Sequence, residues 1–386
     1  MRQSISRERL RKDVQLRLKE SPAVVLLGAR QVGKTTLATQ LMEEEKQATL
    51  FDLERAASRA ALESTPEATL ADCEGLVVID EVQRMPALFE TLRPLCDEKK
   101  KKRRFLLLGS AAPELIRGIS ETLAGRVQFV NVSGLCMDEV GHQDRLWLRG
   151  GFPRAYLAET NDAAWRWLEG FRETFLQRDL PSLGVRIPAP TLARFWSMLA
   201  HYHGQIWNAA ELGRVMSVQP ATANHYRDIL AGTYMLRVLS PWFENLGKRQ
   251  VKSPKVYIRD SGILHHLLGV SDLMGLRSNP RYGASWEGFA LEQILTIHGN
   301  HDAWFWSTIR GAELDLLLFR KGKRYGFEFK CTDAPTVTKS MHIATSDLKL
   351  EHLWVVYPGK EKYSMGERMT ALPLSDVVMG VKALVS

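Results

Sequence analysis

Residues 24–37 read VVLLGARQVGKTTL, and the rest of the chain is read outward from them. Val24 to Leu27 form an unbroken apolar run, the pattern of a strand buried on both faces of a parallel sheet. They lead directly into Gly28-Ala29-Arg30-Gln31-Val32-Gly33-Lys34-Thr35, which satisfies G-x-x-x-x-G-K-[ST] at each fixed position. Gly28 and Gly33 let the backbone curl so that successive N–H groups converge on an anion. A helix starting near Lys34 adds the positive end of its dipole. This chemistry assigns the backbone from Gly28 to Thr36 to the phosphates of a nucleotide, Lys34 to its β- and γ-phosphates, and the Thr35 hydroxyl to Mg²⁺.

Upstream, Leu10, Val14 and Leu18 recur every fourth residue, so Arg7 to Glu20 reads as an amphipathic helix. Downstream, Ala48 to Leu53 reads as a second strand, and Leu76 to Ile79 as an apolar strand ending in Asp80-Glu81. At this distance from the loop, Asp80 is expected to hold Mg²⁺ through water and Glu81 to orient and deprotonate the attacking water. A further strand, Phe105 to Leu108, ends in Gly109-Ser110, where Ser110 is expected to contact the γ-phosphate or the water. Arg126, just before the strand Val127 to Val132, sits where a ring-forming ATPase presents an arginine to its neighbour's nucleotide, with Arg117 as the rival; such a residue is worth ~10³–10⁵ in rate. The run KKKKRR, residues 99–104, is either a solvated loop or a phosphate-backbone contact.

From about Gly150 the pattern turns helical. Ala163 to Leu180 carries an aromatic stripe, Trp165, Leu168, Phe171 and Phe175, which reads as core. Then come a helix from Leu192 to His203, a second capped by Asn208 over Ala209 to Met216, and a third opened by Pro220. Strand-like Tyr234 to Leu239 and Lys255 to Ile258 follow as a candidate wing. The third helix leaves Thr222, His225 and Arg227 available for a DNA groove; with one basic residue among them and Asp228 beside it, packing is the competing role.

In the last third, Glu287 to Leu295 reads as helix, and Glu313 to Phe319 and Tyr325 to Lys330 as a hairpin. A loop from Arg320 to Lys323 sets Asp315 opposite Glu328 and Glu313 opposite Lys330. That register gathers the carboxylates and lysine that a Mg²⁺-dependent phosphodiester hydrolase uses. An odd-length loop would destroy the site.

The composition sets bounds on these readings. The chain has 386 residues, 45% of them apolar, enough for two or three cores. A net charge of +8 and a pI near 9.3 favour a polyanionic partner such as nucleic acid. Cys73, Cys96, Cys136 and Cys331 form no C-x-x-C pair, against a disulfide framework or a zinc site. With no apolar run of about 18 residues and a charged N-terminus, no membrane span or secretory signal is expected, and the protein reads as cytoplasmic.

Taken together, LLGARQVGKTTL, VVIDEVQRMPALFE, LLLGSAAPELI, SETLAGRV, GGFPRAYL, ETFLQRDL, WEGFALEQIL, ELDLLLF and GFEFK resemble prokaryotic AAA-type P-loop ATPases. These carry a C-terminal domain of unassigned function similar to the PD-(D/E)XK restriction-endonuclease fold. The resemblance spans nearly the whole chain. It implies an α/β AAA-type ATPase domain at 1–150 (parallel sheet), a helical linker or lid at 151–190, a winged helix-turn-helix at 191–260 and a nuclease-like α/β domain at 261–386. It places the nucleotide residues on Gly28 to Thr36, Asp80, Glu81 and Ser110, with Arg126 acting in trans. The nuclease-like pattern falls on Glu287, Asp315, Glu328 and Lys330. The expected protein is an ATP- and Mg²⁺-dependent motor, a homo-oligomer with nucleotide at subunit interfaces, acting on duplex or branched DNA. An ATP-dependent signalling switch or transcriptional regulator, and a Mg²⁺-dependent nuclease regulated by ATP, are the alternatives.

Overall fold

The computed structural model describes residues 5–98, 103–110, 113–244, 249–299 and 302–378, and the side chains of 110–117 lie outside that description. Most of the basic run, Lys99 to Lys102, therefore falls outside the described residues, as does the side chain of Arg117. The chain divides into two compact units. One comprises Met1–Gly134 with Gly232–Tyr234, the other Leu135–Ala231 with Met235–Ser386.

The first unit is built on a parallel sheet. Its strands are β1 (Ala23–Gly28), β2 (Ala48–Asp52), β3 (Leu76–Asp80), β4 (Arg104–Ser110) and β5 (Val127–Asn131), in the order β2-β3-β4-β1-β5. All six residues of β1 are buried, because alternate residues feed two separate cores. Val24 and Leu26 pack with Leu10, Val14 and Leu18 of the first helix (Glu8–Glu20) and with Leu37 and Leu41 of the helix after the loop (Lys34–Glu43). Ala23, Val25 and Leu27 pack on the other face against Leu88, Phe89 and Leu92 of Leu88–Asp97 and Ile119 of Pro113–Thr122. Helices on both faces are what force the strand to be apolar throughout.

The second unit holds two sheets. The smaller is antiparallel, with strands β6 (Gln205–Ile206), β7 (Leu236–Leu239) and β8 (Lys255–Ile258) in the order β6-β8-β7. Three helices accompany it, Ala189–His201, Ala209–Met216 and Pro220–Gly232. The Asn208 side chain caps the second by accepting from the N–H groups of Ala210 and Glu211, both at 3.2 Å. Strand β7 starts later than Tyr234 because that residue is left-handed at φ 64°. Of the aromatic stripe, Leu168, Phe171 and Phe175 are core, whereas half-buried Trp165 lies 4.4 Å from the His266 ring.

The larger sheet comprises β9 (Ala303–Ser307), β10 (Glu313–Arg320), β11 (Lys323–Phe329), β12 (His352–Tyr357), β13 (Tyr363–Gly366) and β14 (Met369–Pro373), ordered β13-β14-β12-β11-β10-β9. The β10–β11 turn is Lys321-Gly322, two residues with φ of 49° and 77°, shorter than the expected loop. Both positive angles suit the tight hairpin that matches strand twist. The parity is nevertheless the expected one: Leu316 pairs with Phe327 and Arg320 with Lys323. Asp315 and Glu328 therefore come together.

Close packing around the loop gives a direct test. A Cβ at Gly28 would lie 2.3 Å from the carbonyl oxygen of Val132. Gly28→Ala is expected to cost about 1–3 kcal/mol, read by denaturant unfolding, and to weaken nucleotide binding in the same preparation.

Candidate functional site

At the end of β1 the chain turns through Gln31, left-handed at φ 61°, and Gly33 at φ 101° before entering the helix at Lys34. Alternating handedness of this kind aims consecutive N–H groups into one concavity. Lys34 crosses beneath, its Nζ donating to the carbonyls of Gly28 at 2.9 Å and Ala29 at 2.8 Å. Only 7% of Lys34 is exposed, and burial lowers its pKa to about 8 although Glu81 and Asp80 pull the other way. A buried ammonium holding only neutral carbonyls is suited to receive a phosphate. Thr35 donates from Oγ1 to Oδ2 of Asp80 at 2.7 Å, which unites the hydroxyl and carboxylate that would share a divalent cation. The donor set thus fits a nucleotide with Mg²⁺. Bound there, the ion would polarise the phosphates, with Thr35 and Asp80 holding it directly or through water.

The strand order does the assembling. Strand β4 lies between β1 and β3, and Ser110 pairs with Gly28. The backbone of Ser110 thus ends between the loop and the acids of β3, although its side chain lies outside the described residues. Asp80 is buried, which raises its pKa, while Thr35 and the Glu81 N–H, donating to Oδ1 at 2.8 Å, counter that. Glu81 is left-handed at φ 56°, ψ 42°, and burial raises its pKa against the pull of Arg30. Its carboxylate accepts from Gln83 Nε2 and lies 4.0 Å from the Arg30 guanidinium, which also pairs with Glu54 at 3.1 Å. Arg84 reaches Glu54 too, at 3.2 Å. Sequence reasoning missed Glu54 and Gln83, and read Arg30 only as loop backbone. Asp52, level with Asp80 on β2, was also missed; its charge adds to the upward push on Asp80. Arg126 lies at the opposite end of the sheet, where its carbonyl accepts from Ala23 N–H, and its guanidinium clasps Asp97 at 2.7 and 2.8 Å. It does not meet the loop of its own chain.

In the second unit, Glu287 stands on the helix Tyr282–His298, and Asp315 and Glu328 on the hairpin. Asp315 accepts the Phe329 N–H at 2.9 Å, and Glu328 accepts Lys330 Nζ at 2.8 Å. The four expected residues are gathered, but with company. Lys255 of β8, 3% exposed, places its ammonium 3.1 Å from Glu287 and 3.5 Å from Asp315, and bonds Glu313 as well. Tyr257 donates to the same Glu287 oxygen at 2.6 Å. Burial and the neighbouring Asp315 push Glu328 up to about 8. Among the described residues, the three carboxylates Glu287, Asp315 and Glu328 do not bring their oxygens within 4.8 Å of one another; Cys136, Asp138 and Glu139 within one turn do. As folded, these carboxylates do not fit a shared metal ion.

On the third helix, Tyr226 and Leu230 are buried and Ile229 half-buried. His225 is exposed and Thr222 half-buried, but Arg227 is drawn back, paired with Asp228 at 2.7 Å and lying 5.1 Å over the Trp207 ring.

A parallel sheet of this order with this loop defines a P-loop ATPase domain, and a family model described as "AAA domain" matches residues 20–141. Two models described as domains of unknown function, DUF8612 and DUF4143, match 141–273 and 282–377. Uncharacterized proteins Rv2008c of Mycobacterium tuberculosis and Mb2031c of Mycobacterium bovis are each 46% identical over 374 residues, covering 95% of this chain and 84% of theirs. The chain belongs to their family. Among solved structures, the Walker-type ATPase PABY2304 of Pyrococcus abyssi is similar with TM-score 0.48 and 14% identity, covering 69% of this chain and 96% of that one. No helix among the described residues is long and apolar enough to cross a membrane.

The lowered pKa of Lys34 has a measurable consequence. A phosphate beside the ammonium favours its charged form, so binding should take up a proton near pH 8, and affinity should hold below about 8 and fall above it. Calorimetry of ATP binding in buffers of different ionisation enthalpy should report that uptake, and Lys34→Ala should abolish it.

Proposed function

We propose that the protein is an ATP-hydrolysing, DNA-binding motor, assembled as a ring-type oligomer and acting on duplex or branched DNA. The observation that carries hydrolysis, rather than binding alone, is the position of Glu81. It follows a carboxylate already tied to the loop at 2.7 Å and lies 4.0 Å from Arg30 of that loop. In this reading Lys34 and the Gly28–Thr36 backbone bind the phosphates, Thr35 and Asp80 hold Mg²⁺, Glu81 activates water and Ser110 contacts the γ-phosphate or the water. Arg126 serves a neighbour's nucleotide; it is out of reach of its own loop, and Asp97 would have to release it.

DNA as partner is supported by the +8 charge and by three helices with a three-stranded antiparallel sheet, which we read as a winged helix. Thr222, His225 and Arg227 are its proposed contacts. The larger sheet, with Glu287, Asp315, Glu328 and Lys330, we read as a nuclease-like fold that holds DNA. A second reading, an ATP switch of slow turnover, is favoured by the engagement of Glu81 with Gln83.

The test is an ATPase assay with single-stranded, duplex and four-way-junction DNA. The motor reading expects stimulation by DNA and an affinity that falls steeply with salt. Tight ATP binding with negligible turnover on every DNA would instead select the switch. Glu81→Gln should bind ATP while hydrolysing it roughly 10²–10⁴-fold more slowly. If it hydrolyses at the wild-type rate, Glu81 is not the base.

A further inference from the structure

The acidic cluster of the second unit contains a cation of its own. Glu287, Glu313 and Asp315 come from a helix and a strand of the larger sheet, but the ammonium among them comes from β8 of the smaller one. Lys255 is buried, and the carboxylates around it offset the cost of removing its ammonium from water. It points away from water, its Nζ also 5.7 Å from the Phe305 ring. Tyr257, two residues on and on the same face of β8, donates to the same oxygen of Glu287. β8 therefore delivers two donors to this cluster.

A second observation shows that the cluster's capacity for cations is not used up. Glu328 is 6% exposed; one oxygen accepts Lys330, and the other, Oε2, is buried with no hydrogen-bond partner. Four carboxylates, Glu287, Glu313, Asp315 and Glu328, face two ammoniums, Lys255 and Lys330. A surplus of carboxyl groups over ammoniums and an orphan oxygen are what a divalent cation would satisfy. The oxygens of Glu287, Asp315 and Glu328 nevertheless stand too far apart to share one while the lysine keeps the first two engaged.

We infer that Lys255 is the resident cation of this cluster and excludes divalent metal from it, so that removing its charge turns Glu287, Asp315 and Glu328 into a divalent-cation site. The cluster is thus a hydrolase-type metal site held closed by a side chain of the neighbouring sheet. Metal-dependent phosphodiester chemistry is shut off there by the Lys255 ammonium among the carboxylates. The inference does not depend on ATP hydrolysis in the first unit.

The experiment is Mn²⁺ binding to the full-length, nucleotide-free chain, followed by electron paramagnetic resonance and calorimetry. Every arm carries Thr35→Ala and Asp80→Asn so that the two residues proposed to hold Mg²⁺ in the first unit are removed. Lys255→Met should bind one Mn²⁺ per chain roughly a hundredfold more tightly than the arm with Lys255 intact, and adding Asp315→Asn should remove that site. The inference is overturned if folded Lys255→Met binds Mn²⁺ no better, or if the gained site survives Asp315→Asn. It is equally overturned if the Lys255 arm already binds Mn²⁺ tightly and loses it with Asp315→Asn. Lys255→Gln, which keeps a donor for Glu287 without the charge, serves where Lys255→Met does not fold and carries the same expectation. Should neither fold, the arm with Lys255 intact decides by the last criterion, and its lack of a site sensitive to Asp315→Asn supports the inference.

Discussion

A hydrogen bond of 2.7 Å joins Thr35, in the first turn of the helix that follows β1, to Asp80 at the end of β3, a strand separated from β1 by β4. The candidate nucleotide site depends on it. Asp80 is 6% exposed, and a carboxylate that deep must be paired or hydrogen-bonded or else be driven to its neutral form. Here it is held on one oxygen by the loop hydroxyl and on the other by the next backbone N–H. The hydroxyl and the carboxylate hold each other in place where both are proposed to hold Mg²⁺. The loop is thereby anchored to β3, and the tip of β4 is confined between them.

The second unit handles buried charge in two ways, and the contrast separates a structural ion pair from a site. Glu292 faces two guanidiniums, Arg237 and Arg259; burial alone would raise its pKa, yet the pair of cations brings it below the ordinary value. One carboxylate with two cations leaves nothing to bind. Asp315 and Glu328 shift the other way, upward through burial and the charge of a neighbouring carboxylate, Glu287 acting on Asp315 and Asp315 on Glu328, because carboxylates outnumber ammoniums around them. Breaking a buried pair by deleting one partner costs about 3–5 kcal/mol. By that measure both arrangements matter to stability, but only the second has charge to spare.

Much of the architecture was legible from periodicity. Runs such as Val24–Leu27 and Leu76–Ile79 announce strands covered on both faces, and the glycines and Lys34 announce an anion. The β10–β11 register was legible because parity survives an error in loop length: the turn is two residues rather than four, and Asp315 still meets Glu328. Strand order was not legible, since an apolar parallel strand carries no mark of its neighbours. That β4 separates β1 from β3 is known only from the fold. Lys255 and Tyr257 were invisible for a similar reason. In the sequence they are a lone lysine and a tyrosine on a short strand, and their partners lie 30 to 60 residues further on. The contact of Arg227 with the Trp207 ring was invisible in the same way, since Trp207 lies outside its helix.

The backbone at Glu81 carries the remaining argument about the proposed hydrolytic step. A non-glycine residue in the left-handed region costs of order 1–3 kcal/mol and persists where its surroundings over-determine it. Those surroundings are explicit here. The Glu81 N–H is taken by Asp80, its carbonyl accepts from Arg84, and its carboxylate is held by Gln83 within 4.0 Å of Arg30. Arg30 is a residue of the phosphate loop, shared between Glu81 and Glu54. A phosphate entering that loop brings negative charge to the same guanidinium and so competes with both carboxylates for it. Besides Arg30, the Glu81 carboxylate has the neutral Gln83 as hydrogen-bond donor and the charge of Lys34 acting on it. The strained acid and the phosphate loop are thus linked through one guanidinium, which stands within 4.0 Å of Glu81 and belongs to the loop.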